Sequence, residues 1–116
     1  MKSPITTHVL DTANGHPANG IRVTLEKQLD NGTWNHIAEG KTNNDGRITD
    51  WMPADKKAEK GLYRVTFHAG SYLEQKGNKE PFYTEIPVTF RLSDPSAHYH
   101  IPLLLSPFGY STYRGS

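Results

Sequence analysis

The stretch HYHIPLLL, residues 98–105, decides how this chain folds. Its odd positions, Tyr99, Ile101, Leu103 and Leu105, alternate with His98, His100, Pro102 and Leu104. A repeat of two puts successive side chains on opposite faces of a β-strand, and the wholly apolar odd set is what a core-facing side requires. The even set is different in kind. A face turned only to water has no use for Pro102 and Leu104 beside two imidazoles. Ile5–Asp11 behaves the same way, with Ile5, Thr7 and Val9 on one face and Thr6, His8 and Leu10 on the other. Two strands thus carry histidines and apolar groups on a face that is not the core. This predicts a second buried surface, a contact with another subunit. Proline has no ladder donor, so Pro102 predicts an edge strand or a bulge.

Outward from this segment the same period recurs. Ile21, Val23 and Leu25 alternate with polar residues, as do Tyr63, Val65 and Phe67, and Ile86, Val88, Phe90 and Leu92. Further strands are expected at residues 5–10, 33–42, 47–51 and 110–114. Turn signals separate them: Asn14-Gly15, Asn19-Gly20, Asn31-Gly32, Asp45-Gly46, Asp94-Pro95 and Ser106-Pro107. Asn31-Gly32 reads as the turn of a hairpin. Residues 69–77 are a short helix candidate, capped at Ser71 and stopped at Gly77, and residues 56–60 a charged exposed loop. Seven or eight short strands with regular turns predict an antiparallel sandwich.

The chain has 116 residues, room for one domain over 1–116. Hydrophobic content is only 34%, but the apolar residues are patterned, as a folded core needs. Cysteine is absent, which removes thiol nucleophiles and disulfides. Lys+Arg number 13 against 12 Asp+Glu, so no excess of positive charge points to nucleic acid or an anionic membrane. No 18-residue apolar run and no signal-peptide pattern is visible, so the expectation is a cytoplasmic protein, a processed periplasmic form being the alternative.

Six histidines are candidates for chemistry. His16 lies in a Gly/Pro turn, His36 in a hairpin strand and His68 at a strand end, and all three read as structural. His98 and His100 share a strand face, but without a third nearby ligand or an HExxH pattern no metal is expected. Arg47 leaves the Asp45-Gly46 turn, where a guanidinium could hold carbonyl or anionic oxygens. Tyr113-Arg114-Gly115-Ser116 is an odd set of groups for a tail.

These residues carry a resemblance. Thr7-His8-Val9-Leu10-Asp11, Gly15-His16-Pro17-Ala18 and Lys41-Thr42-Asn43-Asn44-Asp45-Gly46-Arg47 resemble the transthyretin-related proteins. The run from His98 through Tyr113-Arg114-Gly115-Ser116 is similar to the signature of the 5-hydroxyisourate hydrolases in that family. The resemblance covers essentially the whole chain. It implies a prealbumin-like sandwich of two four-stranded antiparallel sheets with one short helix. It also implies a homotetramer, a dimer of dimers, with sites in clefts between the dimers, and no cofactor. Carried over position by position, the active-site residues are His8, Arg47, His100 and Ser116, with Tyr113 and Arg114 closing the site and His98 in support. The implied reaction is ring-opening hydrolysis of 5-hydroxyisourate in urate breakdown. The competing reading on the same fold is a non-catalytic small-molecule carrier of transthyretin type.

Overall fold

Strands form where the sequence alternates. The computed structural model describes residues 3–53 and 57–116. Its elements in chain order are β1 (Ile5–Asp11), β2 (His16–Pro17), β3 (Arg22–Gln28), β4 (Trp34–Lys41), β5 (Arg47–Ile48), β6 (Gly61–His68), α1 (Ala69–Gln75), β7 (Ile86–Leu92), β8 (Tyr99–Ser106) and β9 (Gly109–Thr112). They make two sheets. One runs β4-β3-β6-β7, antiparallel throughout. The other runs β2-β1-β8-β9, with β5 also paired to β1.

The expected sandwich is present, with two differences. The second sheet has five strands because two residue pairs, His16–Pro17 and Arg47–Ile48, each add a short strand along the outer edge of β1. It is also mixed: β1 and β8 run parallel, from Ile5 opposite Tyr99 to Asp11 opposite Leu105. A parallel pair needs a long connection, and the whole first sheet is laid down between these two strands.

The core lies between the sheets. Ile5, Val9, Ile101, Leu103 and Leu105 meet Val23, Leu25, Val65, Phe67, Ile86 and Leu92, all buried. Burial of each such side chain is worth about 1.5–3 kcal/mol. The odd positions of residues 98–105 therefore face the core as their periodicity predicts.

The edge or bulge expected from Pro102 is not found. β8 is a central strand between β1 and β9. The structure accommodates the proline by a gap in the ladder. β9 stops at Thr112, opposite Leu103, and pairing resumes only at Gly115, opposite His100. Pro102 falls in that gap, with no N–H to give across the pair, and its carbonyl accepts from Thr112 Oγ1 at 2.7 Å.

The helix at residues 69–75 follows β6 directly. Ser71 is not its cap. His68 takes that position without a side-chain cap bond, because the chain passes from strand to helix with no turn between. Gly77, at φ 103°, ends it in the left-handed region. Ala69, Gly70, Tyr72 and Leu73 form the buried side, and Tyr72 donates to the Asp11 carboxylate at 2.6 Å, pinning the helix to the end of β1. In the charged segment 56–60, Lys56 lies outside the described residues; Lys57, Glu59 and Lys60 are exposed and Ala58 is buried.

Candidate active site

His8 stands on the outer face of the five-stranded sheet, directly opposite Arg47 on β5 and Pro102 on β8. Opposed residues of an antiparallel pair share a face, so the Arg47 guanidinium and the His8 imidazole start from neighbouring positions. The turn before Arg47 fixes this. Asn43 Oδ1 accepts from the backbone N–H groups of Asp45 at 2.9 Å and Arg47 at 3.0 Å. Gly46 has φ 75°, and a Cβ there would strike the Val9 carbonyl oxygen. Only glycine fits, and Val9 N–H bonds the Gly46 carbonyl at 2.8 Å.

His8 is held below its ordinary value of 6.5. Partial burial is the main cause, and the Arg47 charge adds to it. A hydrogen bond to the Asp45 backbone and the Asp45 charge oppose the shift without reversing it. A histidine in this setting is neutral at pH 7 and able to accept a proton.

The parallel register sets Thr6 opposite His100. The His8 and His100 rings lie 6.4 Å apart, centroid to centroid. Thr6 Oγ1 is 2.8 Å from His100 Nδ1 and 2.9 Å from His98 Nε2. His98 thus approaches His100 through Thr6, their rings 6.4 Å apart and edge-on.

The tail runs back along β8. Gly115 N–H bonds the His100 carbonyl at 2.8 Å, one residue before Ser116. Arg114 goes elsewhere. Its guanidinium lies over the Tyr99 ring, 4.4 Å from the centroid, and Nη2 donates to the His98 carbonyl at 3.4 Å. The contact with Tyr99, a core-side residue of β8, turns Arg114 away from the His8–His100 face. With the exposed Tyr113 it borders a cavity of about 190 Å³ that opens between Phe90, Tyr99 and Ile101. The sequence-derived residues therefore divide. His8, Arg47 and His100 come together with His98 linked to them through Thr6, Ser116 follows the Gly115 that pairs with His100, and Arg114 anchors the tail.

Thr6 was visible only as a face-mate of His8. Its role depends on the β1–β8 pairing across 94 residues, which no local pattern encodes. Among the described residues, no group of three His, Cys, Asp or Glu side chains is placed to hold a metal ion.

Two facing β-sheets with one short helix, bearing imidazoles and a guanidinium on an outer sheet face, define a transthyretin-like β-sandwich. The chain belongs to the HIUase/Transthyretin family, whose sequence profile matches residues 5–115. It is 49% identical over 112 residues to the 5-hydroxyisourate hydrolase of Salmonella dublin, covering 97% of this chain and 80% of that one. The structure superposes on Klebsiella pneumoniae 5-hydroxyisourate hydrolase with a TM-score of 0.82 at 33% identity, covering both chains fully (100% of each). It also superposes on an (S)-allantoin synthase with a TM-score of 0.85 at 38% identity; there 99% of this chain matches but only 44% of the larger protein is spanned.

Proposed function

We propose that this protein hydrolyses 5-hydroxyisourate, opening its six-membered ring to give 2-oxo-4-hydroxy-4-carboxy-5-ureidoimidazoline. The observation that carries this reading is the opposition of His8 and Arg47, with the His100 ring 6.4 Å from that of His8. The identity to named 5-hydroxyisourate hydrolases supports it. A carrier of apolar aromatic ligands has no need of two imidazoles and a guanidinium on one face.

In this mechanism water attacks the ring carbonyl of an electron-poor cyclic amide, so no covalent nucleophile is needed. His8, kept neutral by burial and by Arg47, takes a proton from that water. Arg47 holds the carbonyl oxygen and stabilises the oxyanion as it develops, an effect typically worth about 3–4 kcal/mol. His100 gives a proton to the departing ring nitrogen, and Ser116 orients the substrate. The products are a carboxylate and a neutral ureido group, so each turnover at neutral pH releases one proton.

The active form in this proposal is a homotetramer, a dimer of dimers, working in the cytoplasm. Leu10 and Leu104 remain only partly buried beside the site. Phe82, before β7, and Phe108, in the β8–β9 turn, are exposed by 68% and 79%, with ring centroids 6.2 Å apart. Apolar exposure of this kind suits a subunit contact.

Freshly generated 5-hydroxyisourate, followed by its ultraviolet absorbance, tests the reading directly. Decay faster than the spontaneous rate, lost in His8→Ala, is expected; decay at the spontaneous rate with the native protein overturns it.

A further inference from the structure

Thr6 is 2% exposed, and its hydroxyl stands between two imidazoles, 2.8 Å from His100 Nδ1 and 2.9 Å from His98 Nε2. A hydroxyl carries one hydrogen and two lone pairs. Between two neutral rings it donates to one nitrogen and accepts from the other. The protonation states of the two rings are therefore linked. When Thr6 donates to His100 Nδ1, His98 carries its proton on Nε2 and His100 carries its own on Nε2. When His100 Nδ1 bears a proton, Thr6 must accept it and turn its own hydrogen to His98 Nε2, which forces His98 into the Nδ1–H form.

We infer that Thr6 is a positioning residue that couples His98 to His100 and relays protons between solvent and the site. The inference rests on the hydrolase reading for its chemical use. His98 is exposed and His100 is half-buried, so the chain runs from water inward. As His100 Nε2 gives its proton to the departing nitrogen, Thr6 passes its hydrogen to His100 Nδ1 in the same step, so the ring stays neutral. His98 Nε2–H replaces that hydrogen, and His98 Nδ1 takes one from water. One proton enters at His98 for each one spent at His100, and before the next turnover both rings return to their Nε2–H forms by exchange with water, with no net change in protons. The proton that His8 takes from the attacking water leaves separately.

Other charged groups bear on the pair. His8 on β1 and Arg47 on β5 face His100 across the sheet, and Arg114 in the tail touches the His98 carbonyl. None of them stands between the two rings, where Thr6 is.

Two measurements decide the matter. The first needs no substrate: the tautomer and charge of each ring are followed by ring-nitrogen NMR against pH. In the native protein the His98 signals should switch tautomer over the same pH range in which His100 takes its proton, and Thr6→Val should separate the two events. Independent titration in the native protein overturns the coupling, whether or not the protein is a hydrolase. The second is kinetic. Thr6→Val should lower kcat roughly 10-fold or more with KM within about twofold, as expected of a group serving proton transfer and not binding, while Thr6→Ser restores most of the rate. A native rate in Thr6→Val overturns the relay. If Thr6→Val fails to fold, the native titration and Thr6→Ser still decide. Loss of 5-hydroxyisourate turnover by the native protein would remove the hydrolase reading alone.

Discussion

Gly115 lies directly opposite His100, and the space where its side chain would be is filled by the imidazole. A Cβ at Gly115 would stand 2.6 Å from His100 Cδ2 and 3.1 Å from Pro102 Cγ. The ring cannot swing away cheaply, because Thr6 holds Nδ1. Gly115→Ala must therefore lift the tail off β8 or rotate His100. The expected result is a fall in kcat/KM of about 10-fold or more, with a melting temperature close to native because the tail adds little to the core. Removal of Ser116 should lower turnover while leaving the fold intact. Unchanged steady-state kinetics in both variants would take the tail out of the site.

The pH profile should carry the mark of His8. Burial and then Arg47 lower its proton affinity, so its basic form survives below pH 6.5. The acid limb of kcat/KM should accordingly fall below 6.5, with activity lost as pH drops through the lowered value. Arg47→Ala removes one of the two depressing influences. Its limb should move up towards 6.5, on top of a loss in kcat of about 10²-fold or more from the missing oxyanion donor. A limb that stays in place in Arg47→Ala would show that the two side chains do not sense each other.

Asp11 and Tyr72 tie the helix to the sheet. Burial alone would raise the Asp11 pKa, but hydrogen bonds from Asn14 and Tyr72, aided by His16, outweigh it and hold the carboxyl below its ordinary 3.8. A carboxylate lowered on folding contributes stability that is fully present above 3.8 and is lost as pH falls through the lowered value. Tyr72→Phe should cost about 1–3 kcal/mol at neutral pH. Asp11→Asn should cost a similar amount and flatten the loss of stability in acid, measured by denaturant unfolding at pH 7 and pH 3.

Thr7 points the other way. It is wholly buried on the core face of β1, opposite Ile48 and Ile101, and its hydroxyl has no hydrogen-bond partner. Thr7→Val keeps the shape and removes the stranded polar group. Stability should rise by about 1 kcal/mol, seen as a higher denaturant midpoint at unchanged slope, with turnover unaffected.

The alternating faces of β3, β6, β7 and β8 were legible in the sequence because period two is a local property. So were the turn at Asn31-Gly32 and the glycine before Arg47. What was hidden depends on distant partners. The parallel pairing of β1 with β8, and with it the contact of Thr6 with both histidines, is set by register across more than ninety residues. Pro102 suggested an edge because a missing donor is normally tolerated there; here the neighbouring strand skips the position instead. Arg114 is next to Gly115, the residue paired with His100, and alternation along an extended tail sends adjacent side chains to opposite sides. Tyr99 then captures the guanidinium.

The parallel pairing of β1 with β8 also has a kinetic consequence. The two strands that hold His8 and His100 are among the most widely separated elements of the chain, so their junction has a high contact order and a large loop-closure cost. Neither half of the sequence contains the whole site: His8 and Arg47 pair within the first half, and His100 comes from the second. In a refolding experiment, regain of turnover should follow the late step that zips these strands together, trailing the burst of secondary structure from the locally connected β3–β4 hairpin.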